Sequence, residues 1–116
     1  MKPRTNTTVK NLVQKYTDRW VPILGLTNFL IDIEYIDETQ ITENEMTVMD
    51  TNACWYNMTM NIRAFLPPLR EADKKQIELA VVHELIHAII DEAQEQDEKH
   101  LERVCNHLAV AFSRLT

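Results

Sequence analysis

Two histidines and a glutamate interrupt the most apolar stretch of this chain, Ala80-Val81-Val82-His83-Glu84-Leu85-Ile86-His87-Ala88-Ile89-Ile90. The order His83-Glu84-x-x-His87 is one that metal chemistry can use. On a helix successive residues are about 100° apart, so His87 lies about 40° round from His83 and one turn further along. The two imidazoles therefore project together and can grip one metal ion. Glu84 lies about 100° from His83 and about 60° from His87. It flanks the pair, placed to reach a water on the metal without ligating it. Two histidine ligands four residues apart, with the glutamate as general base, form a zinc-hydrolase arrangement.

A plainer reading treats these side chains as part of a solvated helix face, because Asp73, Gln76, His83, Glu84, His87, Asp91 and Gln94 all project to one side. Against it, Val81, Val82, Leu85, Ile86, Ala88, Ile89 and Ile90 cover most of the circumference around the motif. The polar wedge left there is only about 100° wide, narrower than an ordinary exposed face.

Catalytic zinc takes three protein ligands and keeps an open position for water. In metzincins the third ligand is a histidine six residues beyond the second, after a glycine. His87-Ala-Ile-Ile-Asp-Glu-Ala has neither, which excludes that class and directs the search to a glutamate on the next helix. The candidates are Glu95, Glu98 and Glu102. If the two last helices form a tight antiparallel hairpin centred near Gln94 and Glu95, His87 is level with Glu102 and Asp91 with Glu98. Glu102 borders the apolar stripe beside Cys105 and Ala109 and so faces the partner helix; Glu98 faces inward nearer the turn and is the second choice. Taken alone, Glu102 reads equally well as a surface carboxylate at the rim of a helix. His100 and His107 project away from Glu102 and are read as surface residues.

The elements that must position these groups follow from the rest of the chain. With 116 residues it holds one domain with one core. A single glycine, Gly25, and 45% hydrophobic residues indicate a helix-rich globular protein. The formal charge of −6 and scattered Lys and Arg argue against a phosphate-binding surface, hence against nucleic acid. Cys54 and Cys105 lack CxxC spacing and make no disulfide framework, so reduced thiols in a cytosolic protein are expected. The N-terminus has no apolar h-region of a signal peptide, and no run reaches the length of a membrane span.

Val9, Leu12, Val13, Tyr16 and Trp20 recur at spacings of three and four, which predicts a helix over 7–20 ended by Pro22 and Gly25. Asn28 to Ile36 alternates, with Phe29, Ile31, Ile33 and Tyr35 to one side, as a half-buried strand does. Residues 46–65 read as further β structure, with a turn near Asn57 or before Thr51. Pro67 and Pro68 close that region, since they block both strand and helix continuation. A helix over 71–93 follows, with Asp73 at its start and Ile77, Ala80, Val81, Leu85 and Ile89 buried. Asp97 is a candidate N-cap for a last helix over 98–115, whose stripe is Leu101, Val104, Cys105, Leu108, Phe112 and Leu115. The fold class expected is α+β: an N-terminal helix, a small, mainly antiparallel sheet, then the two helices that carry the site.

Val-Val-His-Glu-Leu-Ile-His-Ala-Ile-Ile followed by Glu102-Arg-Val-Cys-Asn-His-Leu-Ala resembles the small zincin-like metallopeptidases of bacteriophages and prophages, minimal gluzincin domains of the ImmA/IrrE type. The second stretch is similar to that family's Glu-x-x-Ala-x-x-Phe-Ala, with Cys105 for Ala and Leu108 for Phe. Ala-Cys-Trp-Tyr-Asn-Met-Thr-Met-Asn-Ile-Arg-Ala-Phe is a softer match to the strand before its metal helix. The order of elements covers nearly the whole chain. The resemblance implies one zincin-like domain over 1–116, with zinc held by His83, His87 and Glu102 and with Glu84 as base.

The expected chemistry is peptide-bond hydrolysis in a protein or peptide substrate by a zinc-bound water that Glu84 activates. The β segment between Ala53 and Ile62, if it forms a sheet edge beside the metal helix, can pair with an extended substrate. Tyr56 or Tyr35 is a candidate oxyanion donor, though tyrosines in strands are more often core residues. The alternative is a catalytically silent zinc-binding regulatory or interaction protein of phage origin. A structural α+β domain without metal is the third reading.

Overall fold

The computed structural model describes residues 3–38, 41–42, 45–46, 48–54, 57–89, 105–106 and 109–111. The chain opens with helix α1, Asn6–Ile23, capped by the Thr5 hydroxyl, which accepts from the Thr8 backbone N–H at 3.1 Å. Its inward stripe is the one the spacing predicts, Val9, Leu12, Val13, Tyr16 and Trp20. The helix runs through Pro22 instead of ending before it. What stops it is Gly25, at φ 74°, with Gly25 N–H on the Pro22 carbonyl at 3.2 Å and Leu26 N–H on that of Val21 at 2.9 Å. This is a Schellman closure, in which glycine takes the left-handed residue that a Cβ would disfavour.

Strands β1 (Leu30–Ile36), β4 (Met49–Cys54) and β5 (Thr59–Phe65) form one sheet in the order β1-β5-β4, and β2 (Ile41–Thr42) and β3 (Glu45–Met46) pair as a separate ribbon. β4 and β5 are antiparallel, joined by the turn expected near Asn57, whereas β1 and β5 run parallel. The sheet is therefore mixed, which corrects the expectation of a mainly antiparallel one. The reason is burial. β5 carries Met60, Ile62, Ala64 and Phe65, each at most 2% exposed, while β4 buries only Met49, leaves Asp50, Thr51, Ala53 and Cys54 half-buried and exposes Asn52. Two neighbours are worth most to the apolar strand, so the hairpin docks through β5 and leaves β4 at the edge.

Helix α2, Leu66–Glu71, begins at once after β5. Pro67 and Pro68 lie in its first turn, where a missing N–H breaks no helical bond, so they start a helix at the point where the sequence suggested a break. Arg70 ties this helix to Asp37 at 2.8 Å and to Asn6 at 2.7 Å, and its hydrogen bond holds the Asp37 carboxyl below its ordinary pKa.

Helix α3, Lys74–Ile89, carries the motif. Asp73 and Gln76 cap it reciprocally: Gln76 N–H donates to Asp73 Oδ1 at 2.7 Å, and Asp73 N–H to Gln76 Oε1 at 2.9 Å. This capping box starts the helix three residues later than the periodicity suggests. Replacing Asp73 by Ala is expected to cost about 1 kcal/mol, read as a lower urea midpoint with an unchanged slope.

Helices α1 and α3 pack against each other, with α3 also against β4, over the sheet face formed by Ile31, Ile33 and Tyr35 of β1, Met60, Ile62 and Ala64 of β5, and Met49, Thr51 and Ala53 of β4. Ile77, Val81 and Leu85 lie in the core as expected and Ala80 is half-buried, but Ile89 is 39% exposed. Residues 105–106 and 109–111 are helical, with Cys105 and Ala109 in the same core. The rest of the last helix, with Asp97 and the remainder of its stripe, lies outside the described residues.

Candidate metal centre

The apolar run around the motif makes α3 a helix that must be covered on nearly all sides. Val81, Val82, Leu85, Ile86 and Ala88 are each at most 1% exposed. The polar side chains between them share that burial: Glu84 is 5% exposed and His87 6%, with the His83 side chain at 13%. A solvated face does not look like this, and carboxylates are almost never enclosed unless paired or coordinating.

The two imidazoles come together as the helical spacing requires. His83 Nε2 and His87 Nε2 are 3.3 Å apart, with the ring planes at 69°. At metal–nitrogen bonds of about 2.05 Å, two ligands of a tetrahedral ion are separated by about 3.3 Å. The pair is thus already spaced as the edge of a coordination sphere. Glu84 Oε2 lies 3.8 Å from His83 Nε2. One ligand atom from each of the three residues falls within 4.8 Å of the others, so His83, Glu84 and His87 form a cluster that could hold a metal ion.

Two further residues touch this group. The Thr51 hydroxyl, from edge strand β4, donates to Glu84 Oε1 at 2.6 Å. The Cys105 sulfur lies 3.5 Å from His87 Nδ1. When Nδ1 carries the proton toward sulfur, the lone pair of His87 is on Nε2, the atom that faces His83. The sequence reading assigned neither residue a role toward the motif. Thr51 had a detectable signal, since it is the polar member of the alternating set Met49, Thr51, Ala53 that faces the helices. Cys105 had none beyond replacing Ala in the glutamate pattern, because a cysteine in an apolar stripe reads as core. Cys54 and Cys105 form no disulfide.

The other sequence candidates divide clearly. Glu95, Glu98, Glu102, His100, His107 and Tyr56 lie outside the described residues. The Tyr35 hydroxyl donates to the Lys10 carbonyl at 3.4 Å, on β1, with β5 between it and Thr51, so it turns to α1 and away from the cluster. Burial, with Asp18 nearby, pushes its pKa up.

The sheet face away from the helices carries a depression of about 690 Å³ lined by Asp32, Glu34, Asp50, Asn52, Asn61 and Arg63. One ion pair crosses the strands there. Arg63 forks onto both oxygens of Asp50, with the Nε contact at 2.7 Å, and pairs in register with Glu34 on its other side. The hydrogen bond to Asp50 pushes the Arg63 pKa up further.

No helix among the described residues is long and apolar enough to cross a membrane. No protein-family model, curated protein or solved structure matches the chain.

Proposed function

We propose that this chain is a zinc-dependent metallopeptidase of the minimal zincin-like kind, with His83, His87 and Glu102 as metal ligands and Glu84 as general base. The observation that carries the reading is the enclosure of Glu84 and His87, at 5% and 6% exposure, beside a Nε2–Nε2 separation of 3.3 Å. Two imidazoles and a carboxylate suit zinc. When bound, the ion lowers the pKa of a coordinated water and polarises the scissile carbonyl.

The chain's own residues supply the rest. Glu84 takes a proton on its carboxylate and delivers it to the leaving amine. His87 keeps Nε2 for the ion while Nδ1 faces Cys105. Among the described residues β4 pairs only with β5, so its other edge, beside α3, is where an extended substrate backbone adds as a strand.

Elemental analysis of purified protein tests the metal. One zinc per chain is expected in the wild type, and almost none in His83→Ala after dialysis against a weak chelator. A wild-type chain without stoichiometric metal, matched by an unchanged His83→Ala, overturns the proposal in favour of a structural α+β domain.

A further inference from the structure

The cluster poses a question of role, since Glu84 offers an oxygen close enough to His83 and His87 to serve as a third ligand. A carboxylate drawn onto the ion is lost as a base. We infer that Thr51 is a positioning residue whose hydroxyl holds Glu84 back from the metal and so keeps it a base. This rests on the metal site proposed above.

Three observations carry it. First, the contact is strong. A donor–acceptor distance of 2.6 Å, Thr51 Oγ1 to Glu84 Oε1, is that of a hydroxyl donating to an ionised carboxylate. Second, the anchor is stiff. Thr51 lies in the middle of β4, in register with Ile62 of β5, and its branched Cβ restricts χ1, so backbone pairing sets where Oγ1 stands. Its neighbours on the same face, Met49 and Ala53, offer no hydroxyl. Third, the tethered carboxylate stands off. Glu84 Oε2 is 3.8 Å from His83 Nε2, whereas nitrogen and oxygen ligands of one tetrahedral ion would be about 3.4 Å apart. The two histidines already meet the ligand spacing and the carboxylate does not, with its other oxygen held by Thr51 of β4. The same bond ties the base to the edge strand that the proposed substrate would pair with.

A merely structural Thr51, satisfying a buried carboxylate, would affect stability and nothing at the metal. Cobalt(II) replaces zinc as the probe, because its visible bands report ligand number, and azide tests for an open position. The wild type is expected to give a cobalt spectrum that azide shifts. In Thr51→Val, Glu84 closes onto the ion, so the spectrum changes and the azide response is lost. Thr51→Ser restores both, and adding Glu84→Gln to Thr51→Val restores the azide response. Thr51→Ala serves as the second hydroxyl deletion if the valine variant does not melt cooperatively. A folded deletion variant with the wild-type spectrum and azide response overturns the role of Thr51 alone. A wild type that takes up no cobalt overturns the metal site, and this role with it.

Discussion

Replacing Glu84 by Gln is expected to remove peptide hydrolysis while leaving one zinc per chain. The exchange preserves shape and keeps an oxygen for the Thr51 hydroxyl to donate to, so the α3–β4 contact survives. What it removes is the capacity to accept and return a proton. General acid–base catalysis contributes about 10²–10⁴-fold, and kcat on a fluorescent casein digest is expected to fall by that factor with KM little changed. Because the metal ligands are untouched, zinc content measured on the same samples stays at the wild-type level. Turnover retained by Glu84→Gln would remove Glu84 from the mechanism. Full zinc in both proteins with no turnover in either is the result expected of a silent zinc-binding protein. The two measurements together therefore separate chemistry from metal binding, which either alone does not.

The parts of this site that were legible in the sequence are those set by local periodicity. His83 and His87 are four residues apart on a helix, which puts both imidazoles on one side of it, where their Nε2 atoms stand 3.3 Å apart. The enclosing apolar run is equally local: it leaves a polar wedge narrower than an ordinary exposed face, and Glu84 within it is 5% exposed. Thr51 illustrates what local pattern lacks. Alternation marks it as an inward-facing polar residue of β4, but only the docking of α3 onto that strand brings its hydroxyl to Glu84. The mainly antiparallel sheet expected from the sequence gives way to a mixed one for a related reason. Residues 46–65 read as β structure with a turn near Asn57 or before Thr51, and the first position is the one adopted between β4 and β5, yet which of these strands lies against β1 is decided by total burial, a property of the assembled core. Pro67 and Pro68 misled in the other direction: a rule about helix interiors was applied to what proved to be a first turn. Ile89, a core position by its place on the helical wheel, is 39% exposed although its neighbours Ile86 and Ala88 are fully buried.

Trp20→Ala is expected to bring the fold to the limit of its stability, through lost core packing and through a buried carboxylate distinct from the metal motif. Trp20 is fully buried, and its indole N–H donates to Glu78 Oε2 at 2.8 Å, joining α1 to α3. Glu78 is 6% exposed, with Arg19 at 3.3 Å and Lys75 at 3.8 Å on its solvent side. Burial, and then the nearby Glu78 charge, also push the Tyr16 pKa up. Truncating a core Trp costs about 3–5 kcal/mol. Leaving the buried carboxylate short of its donor adds about 1–3 kcal/mol, against a total stability of about 5–15 kcal/mol for a domain of this kind. Trp20→Phe isolates the second term, because the ring volume largely remains and only the N–H is removed. In a background where Glu78 is Met, the same Trp20→Phe change has no carboxylate to strand and is expected to cost less, by about 1 kcal/mol or more in a double-mutant cycle read from urea midpoints. Additivity in that cycle would mean that the indole contributes by packing alone. Trp20→Phe is also expected to keep its zinc, since the fold that aligns His83 with His87 is weakened but retained. Trp20→Ala loses zinc in step with its unfolding, which ties the metal centre to the clamp between α1 and α3 that lies about one and a half turns before it on the same helix.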